Sequence, residues 1–139
     1  MVVVAFTLAR RREVVGEARR LVAGVLAQLG APQEDAEVIT LALSEACTNA
    51  VEHASGASPF TLRVECIPGS VRLTVTSPGE FRPPEPFGEM PDATSLRGRG
   101  VPLMRTLMDE FEISGERGAT TVTMCKNFEF EHGAALLAV

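Results

Sequence analysis

The sequence predicts an α/β sandwich of the α+β class, with helices layered on one face of a mixed, mostly antiparallel sheet. Three observations lead there. Two long stretches of helical periodicity stand back to back near the N-terminus. Two runs of alternating apolar and polar residues follow, separated by a Pro-Gly turn. A further helix and strand close the chain after a stretch rich in proline and glycine. With 139 residues, 45% of them hydrophobic and 22% charged, the chain suits a single domain, 1–139, around one core.

Residues 2–9 are a β-branched run and read as the first strand. From Glu13 to Leu29 the period becomes helical, and Val14, Ala18, Leu21, Val22, Val25 and Leu29 fall on one stripe. Gly30 and Pro32 stop this helix. The acidic start "PQEDAE" opens a second helix from about Gln33 to His53 or Ala54, with its acids where the helix dipole favours them. "SGASP" is a turn. "FTLRVECI" and "VRLTVTS" alternate as the strands of an antiparallel hairpin, joined by Pro68, Gly69 and Ser70. Pro78 to Arg99 holds too many breakers for a regular element, and so long a loop in a small domain usually serves a ligand or a partner. "VPLMRTLMDEFEI" then predicts a short helix with Val101, Met104, Leu107 and Met108 inward and Asp109 and Glu110 at a solvated end. After a turn at Gly115 to Gly118, "ATTVTMCKNFEF" is the final strand. The apolar tail "HGAALLAV", within residues 130–139, is expected to pack on the domain, to join a dimer contact or to be disordered.

Composition argues against several functions. A formal charge of -5, from 18 acidic and 13 basic residues, argues against a general phosphate-backbone binder. Seven Phe without Tyr or Trp leave few stacking platforms for nucleic acid. Cys47, Cys66 and Cys125 are odd in number and lack CxxC spacing, so they read as small buried hydrophobes and not as a disulfide or zinc framework. The apolar start is too short to span a membrane and is followed by Arg10, Arg11 and Arg12. The cytoplasm is the expected location.

Two stretches carry the chemistry. In "LALSEACTNAVEHA" the four-residue spacing stacks Glu45, Asn49 and His53 on one helix face, with Ser44, Thr48 and Glu52 beside them. Leu43, Cys47, Ala50 and Ala54 point toward a core, and Ala46 and Ala50 leave room for a close approach. A carboxylate serves as a general base, and an amide oxygen is a good ligand for a hard metal. In "LRGRGVPLM", Gly98 and Gly100 bracket Arg99 immediately before a helix, where converging backbone amides and the helix N-terminus favour a phosphate.

"SEACTNAVEHA", "RGRGVPLMRTLMDEFEI" and "GATTVTM", in that order, resemble the boxes of the bacterial anti-sigma-factor serine/threonine-protein kinases, which belong to the histidine-kinase-like ATPase superfamily. The resemblance runs from about residue 5 to 128. It implies the histidine-kinase-like ATPase fold, use of ATP with Mg2+, and transfer of phosphate to a protein hydroxyl. It implies Glu45 as the catalytic base or its assistant, and Asn49 as the magnesium ligand bridging to the nucleotide. It places His53 near the phosphates, and Arg97, Gly98, Arg99, Gly100 and Val101 at the phosphate-holding end of a lid. It places Thr120 beside adenine. The family's DxGxG box, whose aspartate accepts a hydrogen bond from the adenine amino group, stands here as "SPGEF": Ser77 for the aspartate, Gly79 for the first glycine, Phe81 for the second. A neutral hydroxyl in place of a carboxylate weakens that bond, since charge-assisted bonds contribute roughly 1.5–3 kcal/mol and neutral ones about 1. The implied partners are a sigma factor and an anti-anti-sigma factor of the STAS type, with the kinase as a homodimer that touches neither nucleic acid nor membrane. The alternative is a binding module that regulates by docking without efficient use of ATP.

Overall fold

The computed structural model describes residues 1–53, 58–79 and 100–129. Its elements are β1 (Val2–Leu8), α1 (Glu13–Leu29), α2 (Gln33–His53), β2 (Phe60–Ile67), β3 (Ser70–Pro78), α3 (Gly100–Leu107), β4 (Glu110–Glu116) and β5 (Ala119–Asn127). The strands form one sheet in the order β1-β2-β3-β5-β4. Each pairing is antiparallel, so the sheet is not mixed among the described residues.

Alternation decides the two faces of this sheet. Phe60, Leu62, Val64 and Cys66 of β2 point inward, as do Val71, Leu73 and Val75 of β3 and Val122 and Met124 of β5. They meet Val22, Leu26, Ile39, Leu43, Cys47 and Met104 of the helices in one core. The central helix, α2, lies between α1 and α3 and packs on β3. The outer face is polar: Arg63 pairs with Glu65 at 3.0 Å, and the Thr76 and Thr121 hydroxyls lie 3.4 Å apart.

Turn chemistry fixes the connections. Gly30 ends α1 in the left-handed region, φ 87, and its N–H reaches Ala27 O while Ala31 N–H reaches Leu26 O, a Schellman cap. Arg117 and Gly118, φ 55 and 74, join β4 to β5 in the two-residue, doubly left-handed turn that matches strand twist.

The structure corrects the sequence reading at several points. Residues 108–113 do not continue α3. The helix ends at Leu107 and Glu110–Glu116 is a strand, because Phe111 and Ile113 pair with Met124 and Val122. Asp109 is therefore no solvated helix end: its carboxylate accepts from Asn127 N–H at 2.6 Å and its own N–H donates to Cys125 O at 2.9 Å. Gly115 belongs to the strand, opposite Thr120, and Ser70 belongs to β3. Ala46 and Ala50 are buried against the protein and leave no open approach. The cysteines are free and buried as expected, and burial pushes the Cys47 thiol up to about 12 and the Cys66 thiol to about 11.

The apolar stripe of α1 is also rotated. Its buried residues are Val14, Ala18, Val22 and Leu26; Leu21 is 47% exposed while Leu26 is at 0%. Leu26→Ala is expected to destabilise the fold by about 2–5 kcal/mol, the range for a buried leucine with its cavity. Leu21→Ala is expected to stay within about 0.5 kcal/mol. Urea unfolding of the two variants beside the wild type reads this directly; a larger loss for Leu21→Ala than for Leu26→Ala would put the stripe where periodicity alone had it.

Candidate functional site

The functional face of α2 exists because the helix sits in the middle of its layer. Ile39, Leu43, Ala46, Cys47 and Ala50 are consumed by the core, which leaves Glu45, Thr48, Asn49 and Glu52 on the remaining sides. Thr40 and Ser44 are tied within the helix. Thr40 Oγ1 donates to Ala36 O at 2.9 Å, and Ser44 Oγ donates to Thr40 O at 2.8 Å. They are not available for chemistry.

Glu45 and Asn49 are half-buried and one turn apart. Burial first, and the Glu52 carboxylate second, raise the Glu45 carboxyl above the ordinary value for a glutamate. It is a better proton acceptor than a solvated carboxylate and, above its own pKa, still ionised. The Asn49 Nδ2 is buried with no hydrogen-bond partner among the described residues. An unsatisfied buried amide costs about 1–3 kcal/mol. Turning the amide exchanges its nitrogen and oxygen, since only the hydrogen-bond network distinguishes them. Asn49 thus fits as an oxygen ligand for a hard cation that completes the bond the protein leaves open.

Among the described residues no group of three or more His, Cys, Asp or Glu is placed to hold a metal.

A second cluster lies at the ends of β3 and β5. Ser77 and Thr120 are register partners, and they are buried, 7% and 6% exposed, at the ends of otherwise apolar inward rows. Thr120 Oγ1 donates to Gly79 O at 2.6 Å, and Gly79 N–H donates to Gly118 O at 2.6 Å. Gly79 takes φ 95, a conformation that glycine adopts without the usual steric cost. The ends of β3 and of the β4–β5 hairpin are thereby pinned together. Thr121, by alternation, faces the outer side with Thr76.

The remaining sequence candidates divide simply. Gly100 opens α3, and Val101 is buried in the core, so what it can offer a ligand is its backbone. His53 is the last residue of α2; its side chain lies outside the described residues, as do Arg97, Gly98, Arg99 and Phe81. Sequence reasoning missed Arg10, whose Nη2 donates to Val51 O at 3.4 Å and so reaches the turn of α2 that carries Asn49. The signal was an arginine directly after a strand, read only as charge.

This arrangement defines a class: an ATPase domain of the histidine kinase type. The family description of the histidine kinase-like ATPase domain matches residues 8–126. The chain belongs to that family and, within it, to the serine-protein kinases of the RsbW group. Serine-protein kinase RsbW of Bacillus licheniformis is 34% identical over 128 residues, covering 82% of this chain and 78% of the relative. RsbW of Bacillus subtilis is 32% identical over 127 residues, with the same coverage, 82% and 78%. Among solved structures, the RsbU and RsbW domains of Rv1364c from Mycobacterium tuberculosis match with a TM-score of 0.72 at 22% identity, over 99% of this chain and 35% of that longer one. The catalytic domain of histidine kinase ThkA matches with a TM-score of 0.53 at 16% identity, over 94% of this chain and 100% of that one. The last two likenesses speak for the fold alone. Among the described residues no helix is long and apolar enough to cross a membrane.

Proposed function

We propose that this protein is a cytoplasmic anti-sigma-factor kinase. It uses ATP with Mg2+ to phosphorylate a serine or threonine of an anti-anti-sigma factor of the STAS type, and it sequesters a sigma factor as a homodimer. The observation that carries the reading is the Glu45–Asn49 pair on α2: a carboxyl raised by burial, one turn from an amide whose buried nitrogen has no partner among the described residues. Membership among serine-protein kinases supports the reaction type.

In this reading Glu45 accepts the proton of the partner's hydroxyl as that oxygen bonds to the γ-phosphorus. The bond between the γ-phosphorus and the bridging oxygen breaks, and ADP leaves with the electron pair. Asn49 would hold the metal, which when bound supplies positive charge to the phosphates. Ser77 and Thr120, steadied by Gly79, would take the base. Arg97, Gly98, Arg99, Gly100 and the Val101 backbone would meet the phosphates, and His53 would stand nearby.

The test is transfer of label from radiolabelled ATP to a purified STAS-domain antagonist, with a sigma factor in competition. Labelled phosphoserine or phosphothreonine on the antagonist is the expected result. Binding of both proteins without any transfer would leave a docking module in its place.

A further inference from the structure

Three consecutive arginines, Arg10, Arg11 and Arg12, stand at the junction of β1 and α1, and the fold treats them differently. Arg11 and Arg12 are exposed, whereas Arg10 is half-buried. The backbone that carries Arg10 is fixed. Arg11 N–H donates to Ala9 O at 2.9 Å, and Val14 N–H donates to Arg11 O at 3.0 Å as α1 begins. From this turn Arg10 Nη2 donates to Val51 O at 3.4 Å. α2 ends at His53, so Val51 O is among its last four carbonyls, for which a helix has no N–H of its own. A cation there also suits the negative end of the helix dipole. Core packing holds the middle of α2, where Ile39, Leu43 and Cys47 are fully buried, but it runs out toward the end. After Ala50 come Val51, half-buried, and Glu52, exposed. Bonds to that last turn therefore matter most, because helix ends are where local opening begins.

We propose that Arg10 is a positioning residue of the site: by bonding Val51 O it holds the last turn of α2, and with it the Asn49 amide, in the orientation that Mg-ATP requires. The inference rests on the nucleotide reading above and goes beyond it, to a residue that acts through Asn49. Val51 stands only two residues after Asn49, so a last turn that opens takes the amide with it. Magnesium tolerates little of that, since it demands near-ideal octahedral geometry from its oxygen ligands. Groups that orient a metal ligand without touching the metal typically contribute about 10–100-fold to affinity. The exposed neighbour Arg11 carries the same charge one residue away and supplies the control.

Two measurements on the full chain decide the matter, each made on wild type, Arg10→Ala and Arg11→Ala. The first is calorimetric titration with ATP, with magnesium and with the metal chelated. Arg10→Ala is expected to weaken Mg-ATP binding by about 10–100-fold and metal-free ATP binding by no more than about threefold. Arg11→Ala should leave both within about threefold of wild type. The second is amide hydrogen exchange without ligand. In Arg10→Ala the amides of residues 50–53 should exchange at least about tenfold faster, with the protected amides of β3 and β5 unchanged. Should Arg10→Ala fail to give a cooperative melt, Arg10→Gln, shorter and uncharged, takes its place with the same expectations. Equal weakening with and without magnesium overturns the inference, because loss of charge or of general stability has no reason to single out the metal complex. So does an Arg10→Ala protein that binds Mg-ATP as the wild type does, and that result leaves the kinase reading intact. Wild-type protein that binds no Mg-ATP overturns both.

Discussion

Glu45→Gln is expected to slow phosphoryl transfer by roughly 10²–10⁴-fold, the usual contribution of a positioned general base. Glutamine keeps the shape of the side chain and its hydrogen-bonding reach, but it cannot take a proton. Affinity for Mg-ATP should stay within about threefold of wild type, because the carboxyl acts on the acceptor hydroxyl and not on the nucleotide. The acid limb of the pH–rate profile is a second readout. Burial and Glu52 raise the Glu45 carboxyl, so activity should fall with decreasing pH at a point above the ordinary glutamate range. In the variant that limb should vanish from the residual rate.

Stability gives the same residue an independent signature, and its sign is fixed. The folded carboxyl holds its proton to higher pH than the unfolded one, so between the two values the folded state binds more protons. The contribution is fully present below the unfolded value and is lost as pH rises through the folded value. At neutral pH the ionised wild-type group is a liability that glutamine does not share. The variant should therefore match or exceed the wild type in urea midpoint while losing its rate. Slow transfer together with a lower midpoint would make Glu45 a structural residue instead.

Asn49→Ala is expected to abolish the magnesium dependence of ATP binding and to weaken Mg-ATP affinity by about 100-fold or more. Even residues that merely support a metal ligand typically contribute 10–100-fold. Thermal shift offers a direct comparison. Nucleotide at about 100 times its dissociation constant should stabilise the wild type by about 2.7 kcal/mol, and the variant should show almost none of it. Without ligand the expectation reverses. Asn49 carries a buried nitrogen that nothing among the described residues satisfies, and alanine removes it while improving helix propensity. The unliganded variant should be at least as stable as the wild type. A site residue that costs the empty protein stability is a sign of function. If ATP binding proved indifferent to magnesium in both proteins, the assignment of Asn49 as ligand would be wrong.

How much of this was legible beforehand depends on the range of the interaction involved. Helix Glu13–Leu29 has the bounds read from periodicity, Gln33–His53 has the start read from its acidic first turn and one of the two ends read for it, and β2 has the bounds read from alternation. Capping, dipole and period act within a few residues, so the chain states them locally. The four-residue spacing of Glu45 and Asn49 belongs to the same class. So does the absence of charge at position 77, which is legible from residue type alone.

Other features need the neighbours. Glu110 to Glu116 reads as a helix end until β5 offers Phe111 and Ile113 their partners Met124 and Val122. The choice of Leu26 over Leu21 for the core depends on where α2 presses against α1, because several rotations of a broad apolar stripe satisfy its period equally. Tertiary burial and Glu52 raise the Glu45 carboxyl, and burial leaves the Asn49 Nδ2 without a partner among the described residues. The bond from Thr120 to Gly79 joins residues far apart in the chain. The sequence by itself determined the elements and the chemical alphabet of the site, because local periodicity and residue type act over a turn or a strand. Only the tertiary structure decided which of those groups are desolvated, paired or left open, because those states belong to the surroundings of a side chain and not to its position in the chain.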